Sequence, residues 1–130
     1  MAHPNEEAFR AGYDAFLRGD LEGLRPYFTE DLLWHQPGKT AIAGDYHGID
    51  EVFGLFGKLI EMTGGTFRPE PHDILANDEH GVALITVTAE RDGKSITDHE
   101  AHVVHFRDGK IAESWIHVGD AYDQLDEFFS

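Results

Sequence analysis

The sequence predicts an α+β fold in which helices come first and then pack on a curved antiparallel sheet, and three observations predict it. Apolar residues recur at helical spacing in the first half of the chain. From Thr66 to Val118 the period changes to two, the signature of strands. Asp92-Gly93 and Asp108-Gly109 interrupt that second stretch with the dipeptide that suits a tight hairpin turn.

Each element has its own local reason. Phe9, Tyr13, Phe16 and Leu17 share one helical face behind an acidic Glu6-Glu7 start, and Gly19 stops that helix. Asp20 caps a second, short helix carrying Leu21 and Leu24, whose run Pro26 limits. Asp31 to Gln36 is a short strand closed by a Pro37-Gly38 turn, and a glycine-rich polar stretch runs on to Gly48. The clearest helix carries Ile49, Val52, Phe53, Phe56, Leu59, Ile60 and Thr63 on one stripe until Gly64-Gly65 ends it. A final Leu125, Phe128 and Phe129 cluster predicts a terminal helical turn or a capping tail.

Composition narrows the function classes. The 130 residues suffice for one domain, 1–130, and 41% apolar with 12% aromatic residues argues for a packed core. Ten basic against 25 acidic residues leave a net charge of −15, which repels nucleic-acid phosphates and anionic lipid. Neither nucleic acid nor membrane is expected as a partner. The absence of cysteine removes disulfides, thiolate zinc sites and a cysteine nucleophile. Met1 to Glu7 lack the basic and apolar regions of a secretory signal, so a cytoplasmic protein is expected.

Hairpin arithmetic then assigns faces. An unbulged Asp108-Gly109 turn sets Phe106 opposite Ile111, Val104 opposite Glu113, His102 opposite Trp115 and Glu100 opposite His117. Asp92-Gly93 sets Ala83 opposite His102, Ile85 opposite Glu100 and Val87 opposite Asp98. Asp98, Glu100, His102, Trp115 and His117 therefore gather on one partly apolar wall. Leu84, Thr86, Val103, His105, Ser114, Ile116 and Val118 belong to the other face, which suits solvent or a second copy of the chain, so a homodimer is expected. A single bulge would invert the assignment beyond it.

The runs Phe16-Leu17-Arg18-Gly19-Asp20-Leu21, Tyr27-Phe28, Asp31-Leu32-Leu33-Trp34-His35 and Tyr46-His47-Gly48 come in a recognisable order. With His102-Val103-Val104-His105-Phe106 and Asp108-Gly109-Lys110-Ile111, they make the chain resemble SnoaL-like members of the NTF2-like superfamily over nearly its whole length. The resemblance implies a cone-shaped α+β barrel whose bent sheet wraps around N-terminal helices and encloses an apolar pocket, often in a dimer. It also implies a choice of chemistries, because the superfamily includes ketosteroid isomerases, polyketide cyclases, epoxide hydrolases and members without assigned activity.

Carried over residue by residue, the steroid-isomerase base falls on Gln36, which takes no proton near neutral pH, and its oxyanion acid falls on His102. Its helix-one tyrosine falls near Gly12, one residue from Tyr13. The cyclase pattern fits better at His102, with Glu100 and Asp98 as substitute carboxylates. Epoxide-hydrolase chemistry is disfavoured, since Arg68, Arg91 and Arg107 sit at strand ends or in hairpins.

The candidate catalytic residues are thus His102, Glu100 and His117, with Tyr13, Trp34, Gln36, Phe53, Phe56, Asp98 and Trp115 around a small apolar molecule. Phe53 and Phe56 also fit a plain core role. No cofactor or metal is expected, because the three-residue spacing of His99, His102 and His105 sends His102 to the face opposite the other two. Two readings stay open: an acid–base enzyme of isomerase, cyclase or lyase type on an apolar or polyketide-like substrate, and a non-catalytic small-molecule-binding or dimerisation module.

Overall fold

The computed structural model describes residues 3–119 and 127–129. Helix α1 spans Pro4–Leu17, and its first turn is held from outside. His3 Nδ1 accepts the Asn5 backbone N–H at 3.1 Å, while Asn5 Nδ2 donates to the Asn77 and Asp78 carbonyls at 3.0 and 3.2 Å. The expected short helix is a 3₁₀ segment, Glu22–Tyr27, opened by Asp20 Oδ1 accepting the Gly23 N–H at 2.9 Å. Helix α2 covers Ile49–Met62 and buries Ile49, Val52, Leu55, Phe56 and Leu59, with Thr63 and the glycine pair at its end.

Six strands follow the order β2-β1-β6-β5-β4-β3. They are β1 (Phe28–Gln36), β2 (Gly44–His47), β3 (Arg68–Ala76), β4 (His80–Arg91), β5 (Lys94–Arg107) and β6 (Lys110–Val118). The first strand begins at Phe28, three residues before the expected start, and part of the polar stretch before Gly48 forms β2. Strands β1 and β6 run parallel, so the sheet is mixed where the hairpins alone predict an antiparallel meander. That seam joins distant segments and carries no turn signal. Among the described residues, no helix is long and apolar enough to cross a membrane.

The Asp92-Gly93 register is as expected. Residues 80–91 pair with 94–105 without a break, setting Ala83 against His102, Ile85 against Glu100 and Val87 against Asp98. Asp92 and Gly93 both take positive φ, 52° and 78°, the geometry of the turn whose twist matches flanking strands.

The Asp108-Gly109 register corrects the expectation. Arg107 faces Lys110 and Phe106 faces Ile111, but the register then shifts, pairing His105 with Glu113, His102 with Ile116 and Glu100 with Val118. Ala112 is the extra residue of a bulge. The β1–β6 pairing breaks at the same height, between Phe28–Ile111 and Leu33–Glu113, so the sheet bends there. Ser114, Ile116 and Val118 consequently turn inward, while Trp115 and His117 turn outward. Ser114 is fully buried and His117 exposed.

The inner face carries the core, including Ile74, Ala83, Val87, Val104, Phe106 and Ile111. Gly81 lets α1 come close: a Cβ there would lie 2.9 Å from Phe106 Cε2 and 3.2 Å from Phe9 Cδ2. Phe128 and Phe129 are buried, and Arg91 Nη1 donates to the Phe128 carbonyl at 3.0 Å. Leu125, the third member of the expected terminal cluster, lies outside the described residues.

Candidate functional site

Between the helices and the inner face of the sheet lies a partly open cavity with about 110 Å³ of room for the centres of water-sized molecules. Its wall is mainly aromatic and aliphatic, and Tyr13, Gln36, Glu100 and His102 bring polar atoms to it. Helix α1 supplies Tyr13 because Phe9 and Tyr13, four residues apart, point the same way into the sheet. Strand β5 supplies Glu100 and His102 because residues two apart share a face.

The Tyr13 hydroxyl lies 2.7 Å from His102 Nδ1. His102 is 4% exposed, with the edge of Phe9 at 5.1 Å and the Trp34 ring at 4.9 Å between centroids. Its second nitrogen, Nε2, is buried and has no hydrogen-bond partner among the described residues. Burial lowers the imidazole pKa to about 3, so His102 is neutral throughout the physiological range. Burial first, and the Glu100 carboxyl second, raise the Tyr13 phenol well above its ordinary value.

Glu100 is raised as well. Burial, then a hydrogen bond and the charge of Asp98, push its carboxyl up to about 8. A carboxylic acid that keeps its proton near neutrality can donate a hydrogen bond or a proton to a bound molecule. Asp98 is fully buried behind it and is not part of the cavity wall.

The structure therefore brings Tyr13, Trp34, Gln36, Phe56, Glu100 and His102 to one cavity. Gln36 Oε1 accepts the Trp34 indole N–H at 3.0 Å, which ties the amide to its neighbour. Phe53 lies outside the wall, stacked on Phe56 at 6.0 Å and covered by the Arg25 guanidinium at 5.0 Å. Trp115 and His117 are turned away by the Ala112 bulge. On that outer face Trp115 stacks on His35 at 5.6 Å, and His35 sits between two carboxylates, Asp45 and Glu113.

Sequence reasoning missed Ile116, Val118 and Phe129, which also line the cavity. The first two were hidden by the bulge. The apolar Phe128-Phe129 pair was a visible signal for a cap over the core.

The SnoaL-like domain family matches residues 9–114 of the chain. An uncharacterised protein of Mycobacterium tuberculosis is 35% identical over 103 residues, covering 78% of this chain and 79% of that protein. Among solved structures, Bal32a from a soil-derived mobile gene cassette superposes with a TM-score of 0.94 at 36% identity, covering 99% and 98% of the two chains. TerC, co-crystallised with polyporic acid, superposes with a TM-score of 0.83 at 25% identity, covering 96% of this chain and 99% of its own.

Proposed function

The chain belongs to the SnoaL-like domain family and has the NTF2-like fold, and from that premise we propose that it binds one ring-sized, largely apolar molecule and acts on it by proton transfer. Glu100 is the proton donor and acceptor in this reading, with Asp98 behind it. The carrying observation is a carboxyl group on an apolar cavity wall whose pKa, about 8, lies near the pH at which acid and base forms exchange most usefully. Isomerase, cyclase and lyase reactions that proceed by proton transfer use a group of this kind. Polyporic acid in the related TerC supports a ligand of that size and ring character.

The corrected register changes the cast. His117 faces away from the cavity, so it has no part in this chemistry, and His102, neutral and bonded to Tyr13, is a hydrogen-bonding group in place of the expected base.

A second reading is favoured by Gln36. An amide stands where a carboxylate would serve a steroid-isomerase mechanism, and it is occupied by Trp34. That suits a binding module which holds its ligand unaltered.

Native mass spectrometry of the purified protein separates the two. A discrete bound mass that is converted by the parent protein, and not by Glu100→Gln, supports the enzyme; a mass recovered unchanged after long incubation supports the binding module. The same spectra test the proposed homodimer through the outer sheet face, where Leu84, Val103 and Trp115 are half-buried with no layer over them in the described residues.

A further inference from the structure

We infer that the cavity ligand is an amine: a ring-sized apolar body carrying one basic nitrogen, with the Glu100 carboxyl as that nitrogen's proton partner and counter-ion. This rests on the proposed reading of the cavity as a small-molecule site and adds the chemical class of the molecule it takes.

The charges around the cavity carry the inference. Glu100 belongs to the wall, and its partners across the sheet are Ile85 on β4 and Val118 on β6, both apolar. The titratable groups that face it are Asp98 on its own strand, to which it is hydrogen-bonded, and Tyr13 on α1. Neither brings a positive charge. His102 on the wall is neutral, and no lysine or arginine is among the described residues of the wall. The described wall thus offers Glu100 a second carboxyl group and no cation. A buried carboxylate without a counter-ion is costly, and a bound ammonium group removes that cost.

The rest of the wall points the same way. Nine of its described residues are aromatic, Tyr13, Tyr27, Trp34 and Phe56 among them, and the faces of such rings attract cations. A net charge of −15 draws cations toward the molecule and repels anions. The proton balance is simple. An amine that enters as its ammonium ion meets the protonated Glu100, and one proton leaves to water; a free amine takes the proton from Glu100 directly. Either way the bound pair is net neutral, so the apolar cavity gains no net charge. A carboxylic acid would instead set a like charge beside Glu100 and Asp98, and a hydrocarbon would gain nothing from either.

Three probes of one size test this: 2-(2-naphthyl)ethylamine, 2-ethylnaphthalene and 2-naphthylacetic acid. Equilibrium dialysis of the full chain at pH 8 should find the amine bound about tenfold more tightly than the hydrocarbon, and the acid more weakly than either. The amine's advantage should fall to near unity in Glu100→Gln, which keeps the shape of the neutral carboxyl. The unsubstituted protein gives a second readout that needs no variant to fold. At pH 7 the carbon-13 resonance of the Glu100 carboxyl should move from the acid to the carboxylate position on adding the amine, and stay in place on adding 2-ethylnaphthalene. An amine bound no more tightly than the hydrocarbon, an advantage that survives Glu100→Gln, or a Glu100 resonance that the amine does not move would overturn the inference and leave the cavity reading standing. Failure of all three probes to bind would overturn the cavity reading for ring molecules, and this inference with it.

Discussion

His35 Nε2 and Glu113 Oε2 lie 2.7 Å apart across the parallel seam between β1 and β6, and the same ring's Nδ1 lies 2.7 Å from Asp45 Oδ1 on β2. One imidazole, resting on Trp115, thereby ties three strands together on the outer face. Both nitrogens face carboxylates, an arrangement that favours the doubly protonated ring.

Burial opposes that charge, but the hydrogen bonds to Glu113 and Asp45 with their charges outweigh it and hold the His35 pKa above its usual value. A raised folded-state pKa means that the stabilisation is complete below the unfolded value of about 6.5 and is lost as pH rises through the folded value. His35→Gln should therefore cost on the order of 1 kcal/mol at pH 6 and less at alkaline pH. Thermal denaturation of both proteins across that range checks this; a cost independent of pH would contradict it.

Glu100 follows the same pH trend for a different reason, since burial penalises its charged form. Its carboxyl is raised to about 8 in the folded state, so stability is complete below the ordinary carboxyl value of about 4.3 and falls as pH climbs toward 8. Glu100→Gln keeps the neutral shape and removes that loss. Its Tm should exceed that of the parent increasingly from pH 5 to 8, by on the order of ten degrees at the upper end. Parallel Tm profiles for the two proteins would show that Glu100 is not held neutral.

Gly81→Ala should be destabilising although alanine suits a strand better than glycine. The added Cβ would meet Phe106 at 2.9 Å and both Phe9 and Val104 at 3.2 Å. Overpacking of this kind costs about 1–3 kcal/mol. Chemical denaturation checks it, and an unchanged midpoint would mean that α1 can move away freely.

Deleting Ala112 should be far more damaging than replacing it. Without the bulge, Trp115 and His117 would turn inward while Ser114, Ile116 and Val118 turned outward. We expect loss of a cooperative thermal transition in the deletion and a near-normal one in Ala112→Gly. A cooperative deletion variant would show that the inner face tolerates either set.

These residues also mark how far the sequence could be read. The helices, the β4–β5 register and the shared face of Asp98, Glu100 and His102 were legible, because helical spacing, a two-residue Asp-Gly turn and strand alternation are local rules. Trp115 and His117 were assigned to the wrong face because Ala112 carries no local mark of a bulge; the matching register break is in the pairing of β6 with β1, some eighty residues away in sequence. The His35 clasp was hidden for the same reason, since Glu113 reaches it only across that parallel seam. The Tyr13 contact with His102 likewise needed the packing of α1 on the sheet to be known.

The proposed chemistry depends most on a carboxylic acid at Glu100 that keeps its proton at neutral pH. Carbon-13 spectra of protein labelled at the glutamate side-chain carboxyls, followed from pH 4 to 10, measure this without any substrate. One resonance should titrate with a midpoint near 8 and vanish in Glu100→Gln. If every glutamate instead ionises in the ordinary range at or below about 5, Glu100 is a carboxylate at neutral pH and the proton-transfer reading is wrong.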